Sequence, residues 1–216
     1  MLGQAAASAN GATETLALVE RLRARRKEIG LTMQQVADRA GLSVGFISQI
    51  ERGITTPSLS SLVSVSRVLG LHVSEFLAQP RVDTPQTRHD ERPVYAISEN
   101  SVTYERISSF FPGSVLRSVI IHEPPGHRGE PIAHEGEEML FVLEGAITVE
   151  VDGDRSILER GDSIHFPSTK IHSTWNHSDT PATILWAGTM DVFGEDETGQ
   201  GDPRHLPQAT KTTAET

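Results

Sequence analysis

The chain contains no cysteine. That excludes a disulfide scaffold, thiolate-bound zinc, iron–sulfur clusters and thiol catalysis. It contains no run of eighteen apolar residues, which excludes a membrane-spanning helix by length. Residues Met1 to Thr15 hold no Lys or Arg and no long apolar stretch, so they do not read as a secretory signal. The expected location is the cytoplasm. Aromatic residues are scarce at 5%, and the two tyrosines are Tyr95 and Tyr104. Hydrophobic residues make up only 37%, part of the deficit coming from polar tails.

What is present divides in two. A length of 216 residues allows one large domain or two small ones, and a charged fraction of 22% is that of a globular chain. The net charge of −10 hides an asymmetry. Residues 1–79 carry eight basic and six acidic side chains, whereas 80–216 carry eleven basic and twenty-three acidic ones and eight of the nine histidines. A weakly basic unit followed by an acidic, histidine-rich one implies two domains with different partners.

The pattern sets the boundaries. Residues 1–14 are polar and aperiodic and are expected to be a disordered tail. Apolar residues at helical spacing from Leu16, with stops at Gly30, Gly41, Gly53 and Gly70, predict five short helices within 15–78. Thr32 and Ser43 are placed to cap the second and third; the fifth is expected over Val73–Leu77. A proline-bearing linker follows at 79–92. From 93 to 192 the period becomes two, with nine candidate strands between Val94 and Gly188. Asp152-Gly153 is a tight-hairpin signal between two of them. Many short strands at regular spacing mean a sandwich or barrel. Residues 193–216 are expected to be a second tail.

The run from Leu31 to Gly53 has the form of a helix-turn-helix. Ala37 is small where two helices approach, and Gly41 suits a left-handed turn. Ile47 and Ile50 face inward, leaving Val44, Gly45, Ser48, Gln49 and Arg52 outside. This stretch, the Gln49-Ile50-Glu51-Arg52-Gly53 run and the following Pro57-Ser58-Leu59 resemble the Cro and phage-repressor domain, the XRE family, over about residues 16–77. The resemblance implies that the helix Ser43–Arg52 docks in the major groove of operator DNA. Ser43, Val44, Gly45, Ser48 and Gln49 would lie against the bases, Val44 at a thymine methyl and Gln49 at adenine or phosphate. Thr32 and Met33 would lie on the backbone, with Arg52, Thr55 and Thr56 on phosphates. Arg26 and Glu51 occupy positions that pair in such repressors. The alternative is a helical bundle used for protein contacts.

A second constellation runs from Gly126 through His134 and Glu138 to Gly145, then from Gly161 through Pro167 and His172 to Asn176. These segments resemble the two motifs of the cupin family, a jelly-roll barrel, over about residues 93–190. The fold class is therefore an α + β two-domain chain, an N-terminal five-helix helix-turn-helix bundle followed by an all-β cupin. The cupin metal set of three His and one Glu survives here at His134, Glu138 and His172, while Ile132 stands where the first His belongs. Two imidazoles and a carboxylate still suit a divalent ion such as Fe, Zn, Ni or Mn. No cofactor is required, because Ile132, His134, Glu138 and His172 equally suit an effector pocket for an organic ligand, or a hydrogen-bonded core. His122 and His127 are candidates for the barrel mouth.

The whole layout resembles regulators of the putrescine-utilisation repressor type. That implies a sequence-specific DNA-binding repressor, acting as a homodimer away from any membrane. Its small-molecule effector would be a polyamine or amino-acid derivative held in the barrel. The competing expectation is an enzyme. Mononuclear non-haem iron epoxidases of phosphonates share this domain order and the His-x3-Glu…His triad. The intact helix-turn-helix, the shortage of tyrosine near the core motifs and the lack of an anion-clamping Lys/Arg cluster argue for the regulator.

Overall fold

The computed structural model describes residues 18–73, 84–92, 94–97 and 101–194. Helix α1 is seen over 18–28, α2 spans Met33–Ala40, α3 Val44–Glu51 and α4 Leu59–Leu69. Among the described residues the bundle therefore has four helices, not five. Beyond Val73 the fifth expected helix lies outside them, as do the expected tail over 1–14, residues 195–216 of the second expected tail, and the start of the linker.

The helix ends follow from capping chemistry. Thr32 Oγ1 accepts from the Gln35 amide at 3.1 Å and Gln35 Oε1 from the Thr32 amide at 2.9 Å, a reciprocal box that satisfies two amides lacking helical partners. Ser43 caps α3 through the Phe46 amide. Gly41, at φ +70°, ends α2 in the left-handed conformation that glycine adopts at little cost. Leu22, Val36, Ile47, Leu62 and Leu69 form the core of the bundle, each 2% exposed or less. Each such side chain contributes roughly 1.5–3 kcal/mol. Ala37 is fully buried, so α2 approaches α3 and α4 closely.

The nine expected strands all form: β1 Val94–Ala96, β2 Thr103–Arg106, β3 Arg117–Glu123, β4 Glu137–Glu144, β5 Ala146–Val151, β6 Asp154–Glu159, β7 Ser163–Pro167, β8 His172–Trp175 and β9 Ala182–Gly188. They pair antiparallel in two sheets, β1-β2-β3-β9-β4-β7 and β6-β5-β8. Asp152 (φ +55°) and Gly153 (φ +88°) make the two-residue turn between β5 and β6. Alternation turns Val119, Leu140, Val142, Ile147 and Ile184 inward, all 3% exposed or less. Phe193, assigned by its sequence to the tail, is instead buried beneath the Arg106 guanidinium, 4.0 Å from its ring centre. Its surroundings are aperiodic, so spacing carried no sign of this contact. In the linker, Arg92 pairs with Glu105 of β2 at 2.8 Å, fastening the chain where it enters the barrel. No helix among the described residues is long and apolar enough to cross a membrane.

Candidate DNA-reading face and ligand cavity

Helix α3 presents an open face. Val44 is 40% exposed; Gly45, Gln49 and Arg52 are exposed and Ser48 half-buried. Ile47 and Ile50 hold the opposite face in the core. The hydroxyls of Thr32 and Ser43 are engaged in caps, and Met33 is exposed beside the first of them. Arg26 reaches Glu51 at the end of α3 through two bonds, Nη2 to Oε2 at 2.8 Å and Nε to Oε1 at 2.5 Å. It also donates to the Leu31 carbonyl at 2.9 Å. Thr55 and Thr56 do not stand on the open face. With Gln49 they line a cleft of about 570 Å3 whose far wall is barrel residues including Arg128 and Glu130.

A smaller cavity of about 90 Å3 lies in the barrel, walled in part by Ser58, Leu59 and Ser60. Most of its wall is apolar, with Val119, Ile121, Ile132, Leu140 and Trp186 among the lining side chains. Of the residues expected in the pocket, Ile132, Glu138 and His172 line it, and His134 stands directly behind Glu138. His127 lines the cavity, and burial pushes its imidazole below the ordinary range despite the pull of Glu130. His122 does not line it; its Nε2 lies 2.7 Å from Glu105 Oε1.

Two acidic residues of the cavity were not among those expected from sequence. Glu123, the last residue of β3, is 4% exposed. Its Oε1 accepts from the Thr174 hydroxyl at 3.0 Å, while Oε2 is buried without a partner. Burial pushes its carboxyl up to about 7, and the Thr174 bond offsets only part of that rise. A signal for Glu123 existed: it continues the inward alternation Val119, Ile121, Glu123. Glu130 has no such signal, because it lies in a loop and its partner is Ser58, seventy-two positions away.

At the other end, donor atoms of His134, Glu138 and His172 all lie within 4.8 Å of one another. His134 Nδ1 is 3.0 Å from the Glu135 carbonyl and His172 Nδ1 is 2.8 Å from the Lys170 carbonyl. A carbonyl only accepts, so each Nδ1 carries a proton, and in its neutral form each ring presents an Nε2 lone pair to the cluster. His134 Nε2 lies 2.7 Å from Glu138 Oε1, yet neither atom makes a well-directed hydrogen bond. This is the arrangement that a divalent ion satisfies, and the residues fit one as a three-donor set. Without an ion the cluster is held by charge. Burial opposes ionisation of Glu138, but the two imidazoles bring its carboxyl down to about 2. Burial likewise opposes charge on His172, and Glu138 overrides it and raises the imidazole above its usual value.

Known proteins share both halves. The helix-turn-helix family profile matches residues 22–76 and the cupin domain profile residues 119–188. The chain is 31% identical over 182 residues to the HTH-type transcriptional regulator PuuR of Escherichia coli (strain K12), covering 83% of this chain and 98% of that one. It is 24% identical over 153 residues to the HTH-type transcriptional regulator SutR of the same organism, 70% of this chain and 82% of that one. The HTH_3 family transcriptional regulator from Vibrio cholerae has a similar fold, with a TM-score of 0.52 at 23% identity over 82% of this chain and 97% of that one.

Proposed function

The chain belongs to the family of helix-turn-helix transcriptional regulators that carry a cupin domain, and from that premise we propose that it is a repressor whose grip on its operator is set by a small amine held in the barrel. It is a DNA-binding regulator and not an enzyme, as the named relatives aligned over most of its length are regulators. The observation that carries the effector class is Glu123 Oε2, a buried carboxylate oxygen with no partner in a mostly apolar cavity. Leaving such an atom unsatisfied is costly. An ammonium group donates to it and restores its charge, pairing the free oxygen. A polyamine or amino-acid derivative has that group on an apolar frame that fits the remaining wall.

On DNA, Val44, Gly45, Ser48 and Gln49 read the major groove, with Ser43 starting the helix. Arg52, Thr55 and Thr56 take phosphates, and Thr32 and Met33 rest on the backbone. A reading head with a charge of only +2 makes few phosphate contacts, so two copies on half-sites about one helical turn apart supply the affinity. The homodimer forms through the barrels. His134, Glu138 and His172 would hold a divalent ion such as Fe, Zn, Ni or Mn, which would supply a fixed positive charge and an open coordination position for a ligand atom.

The test is a gel shift on DNA upstream of the chain's own gene and its neighbours, at physiological salt, with and without a panel of polyamines and amino acids. A discrete complex released by an amine supports the reading. Random DNA binding as tightly as the best fragment sinks it, and release by acids alone sinks the amine assignment.

A further inference from the structure

The barrel does not close its cavity alone. Ser58, Leu59 and Ser60, the start of α4, form part of the cavity wall. Two barrel groups hold that turn. Glu130 Oε1 accepts from the Ser58 amide at 3.1 Å and from the Ser58 hydroxyl at 3.0 Å. The Tyr104 hydroxyl accepts from the Leu59 amide at 3.3 Å. The first amides of a helix have no partner within it and carry a partial positive charge, so a carboxylate there satisfies both needs. Ser58 meanwhile caps α4 through the Ser61 amide, so one side chain serves the helix and the barrel. A third contact backs these two: a Cβ built on Gly41 would lie 2.9 Å from the Ala133 carbonyl. The turn of the reading head thus rests on the loop beside Glu130.

The same docking shapes the outer cleft. Gln49, Thr55 and Thr56 face Arg128 and Glu130 across about 570 Å3. Thr55 and Thr56 are half-buried in it, with barrel side chains standing where a phosphate would approach them. Phosphates therefore do not reach Thr55 and Thr56 in this arrangement.

We infer that the first turn of α4 is the lid of the ligand cavity, that Glu130 is its latch, and that the latched form is the one unable to grip DNA. This rests on the regulator reading above and adds how cavity and reading head communicate. A ligand in the cavity touches lid and barrel together, so it favours the latched form. Operator DNA needs Thr55 and Thr56 and favours the open form. One two-state equilibrium then makes the ligands mutually antagonistic, by the same factor in each direction.

The absence of cysteine makes the test direct. Lys27 on α1 and Ser156 on β6 are exposed; both are changed to Cys in the full-length chain and spin-labelled. Pulsed electron resonance then reads the distance between reading head and barrel. The parent is expected to give one narrow distance, and Glu130→Ala a second, longer population. On the operator fragment, without ligand, Glu130→Ala is expected to bind about ten-fold tighter, as loss of one charge-assisted contact would allow. Tyr104→Phe, which removes only the hydroxyl, should move both readouts the same way by less, and carries the test alone if Glu130→Ala does not fold. An unchanged narrow distance in a folded variant overturns the latch, and weaker operator binding by Glu130→Ala overturns its assigned direction. If the amine panel has no effect but the variants open the distance and tighten DNA binding, the latch stands and the effector class falls.

Discussion

Arg26 of the first helix grips Glu51 at the end of the recognition helix through two nitrogens, with side chains 12% and 9% exposed. The pair fixes the angle at which α3 leaves the bundle. Its charges are nearly out of water, so removing one strands the other. Arg26→Ala should lower unfolding free energy by roughly 1–3 kcal/mol, below the full cost for a deeply buried pair because this one sits at the bundle edge. Urea unfolding reads the loss. A variant as stable as the parent would show the pair to be ornamental.

Readout and grip should separate on α3. Gln49 is exposed on the open face and Arg52 ends the helix. Gln49→Ala should narrow the gap between the operator and single-base variants of it, by roughly 1–3 kcal/mol at the base it contacts. Arg52→Ala should weaken every sequence alike and flatten the dependence of log K on log salt by about one. Fluorescence anisotropy at several salt concentrations distinguishes them. The same salt slope in both variants would return Arg52 to the bundle.

The local rules were legible in the sequence. Caps at Thr32 and Ser43, the Asp152-Gly153 turn and nine strands follow from neighbouring residues and spacing, and the Arg26–Glu51 pair from the resemblance to repressors. What escaped is long-range. The Ser58–Glu130 contact joins two domains, and no periodicity encodes it. Phe193 is held by an arginine of β2, not by a strand of its own. Glu123 was within reach, because alternation from Val119 places it inward, but a glutamate before Pro124 reads as a strand end bound for solvent. His122 failed for the opposite reason: alternation turned it away from the cavity and toward Glu105.

Glu123 should make stability depend on pH with a definite sign. Its carboxyl titrates near 7 in the folded chain, against an ordinary 4.5. Protonated in both states below about pH 4.5, it costs nothing there. Between about pH 4.5 and 7 the unfolded chain releases this proton while the folded chain keeps it, so stability falls across that window and levels off above 7, where the folded form carries the buried charge. Glu123→Gln keeps an acceptor for Thr174 and removes the charge. It should therefore gain roughly 3 kcal/mol over the parent at pH 8 and almost nothing at pH 4. A gain equal at both pH values would mean that packing, not ionisation, separates the two proteins.

Ile132 offers the sharpest test of the three-donor cluster. Its amide donates to the His172 carbonyl at 3.0 Å, and its carbonyl accepts from the His172 amide at 2.9 Å, so the two residues face each other across a bridge. Its side chain lines the cavity with Glu138 and His172. An imidazole at 132 would stand beside donors that already converge. Ile132→His should therefore tighten binding of Zn2+ or Ni2+ at least ten-fold in titration calorimetry, on the order of 1.4 kcal/mol or more. It should cost stability in the metal-free chain, because a polar ring replaces a side chain only 3% exposed. Glu138→Gln should weaken metal binding in both backgrounds and remove the strongest hold on His172. If Ile132→His binds metal no better than the parent, the three side chains do not share an ion, and their convergence serves the organic ligand alone.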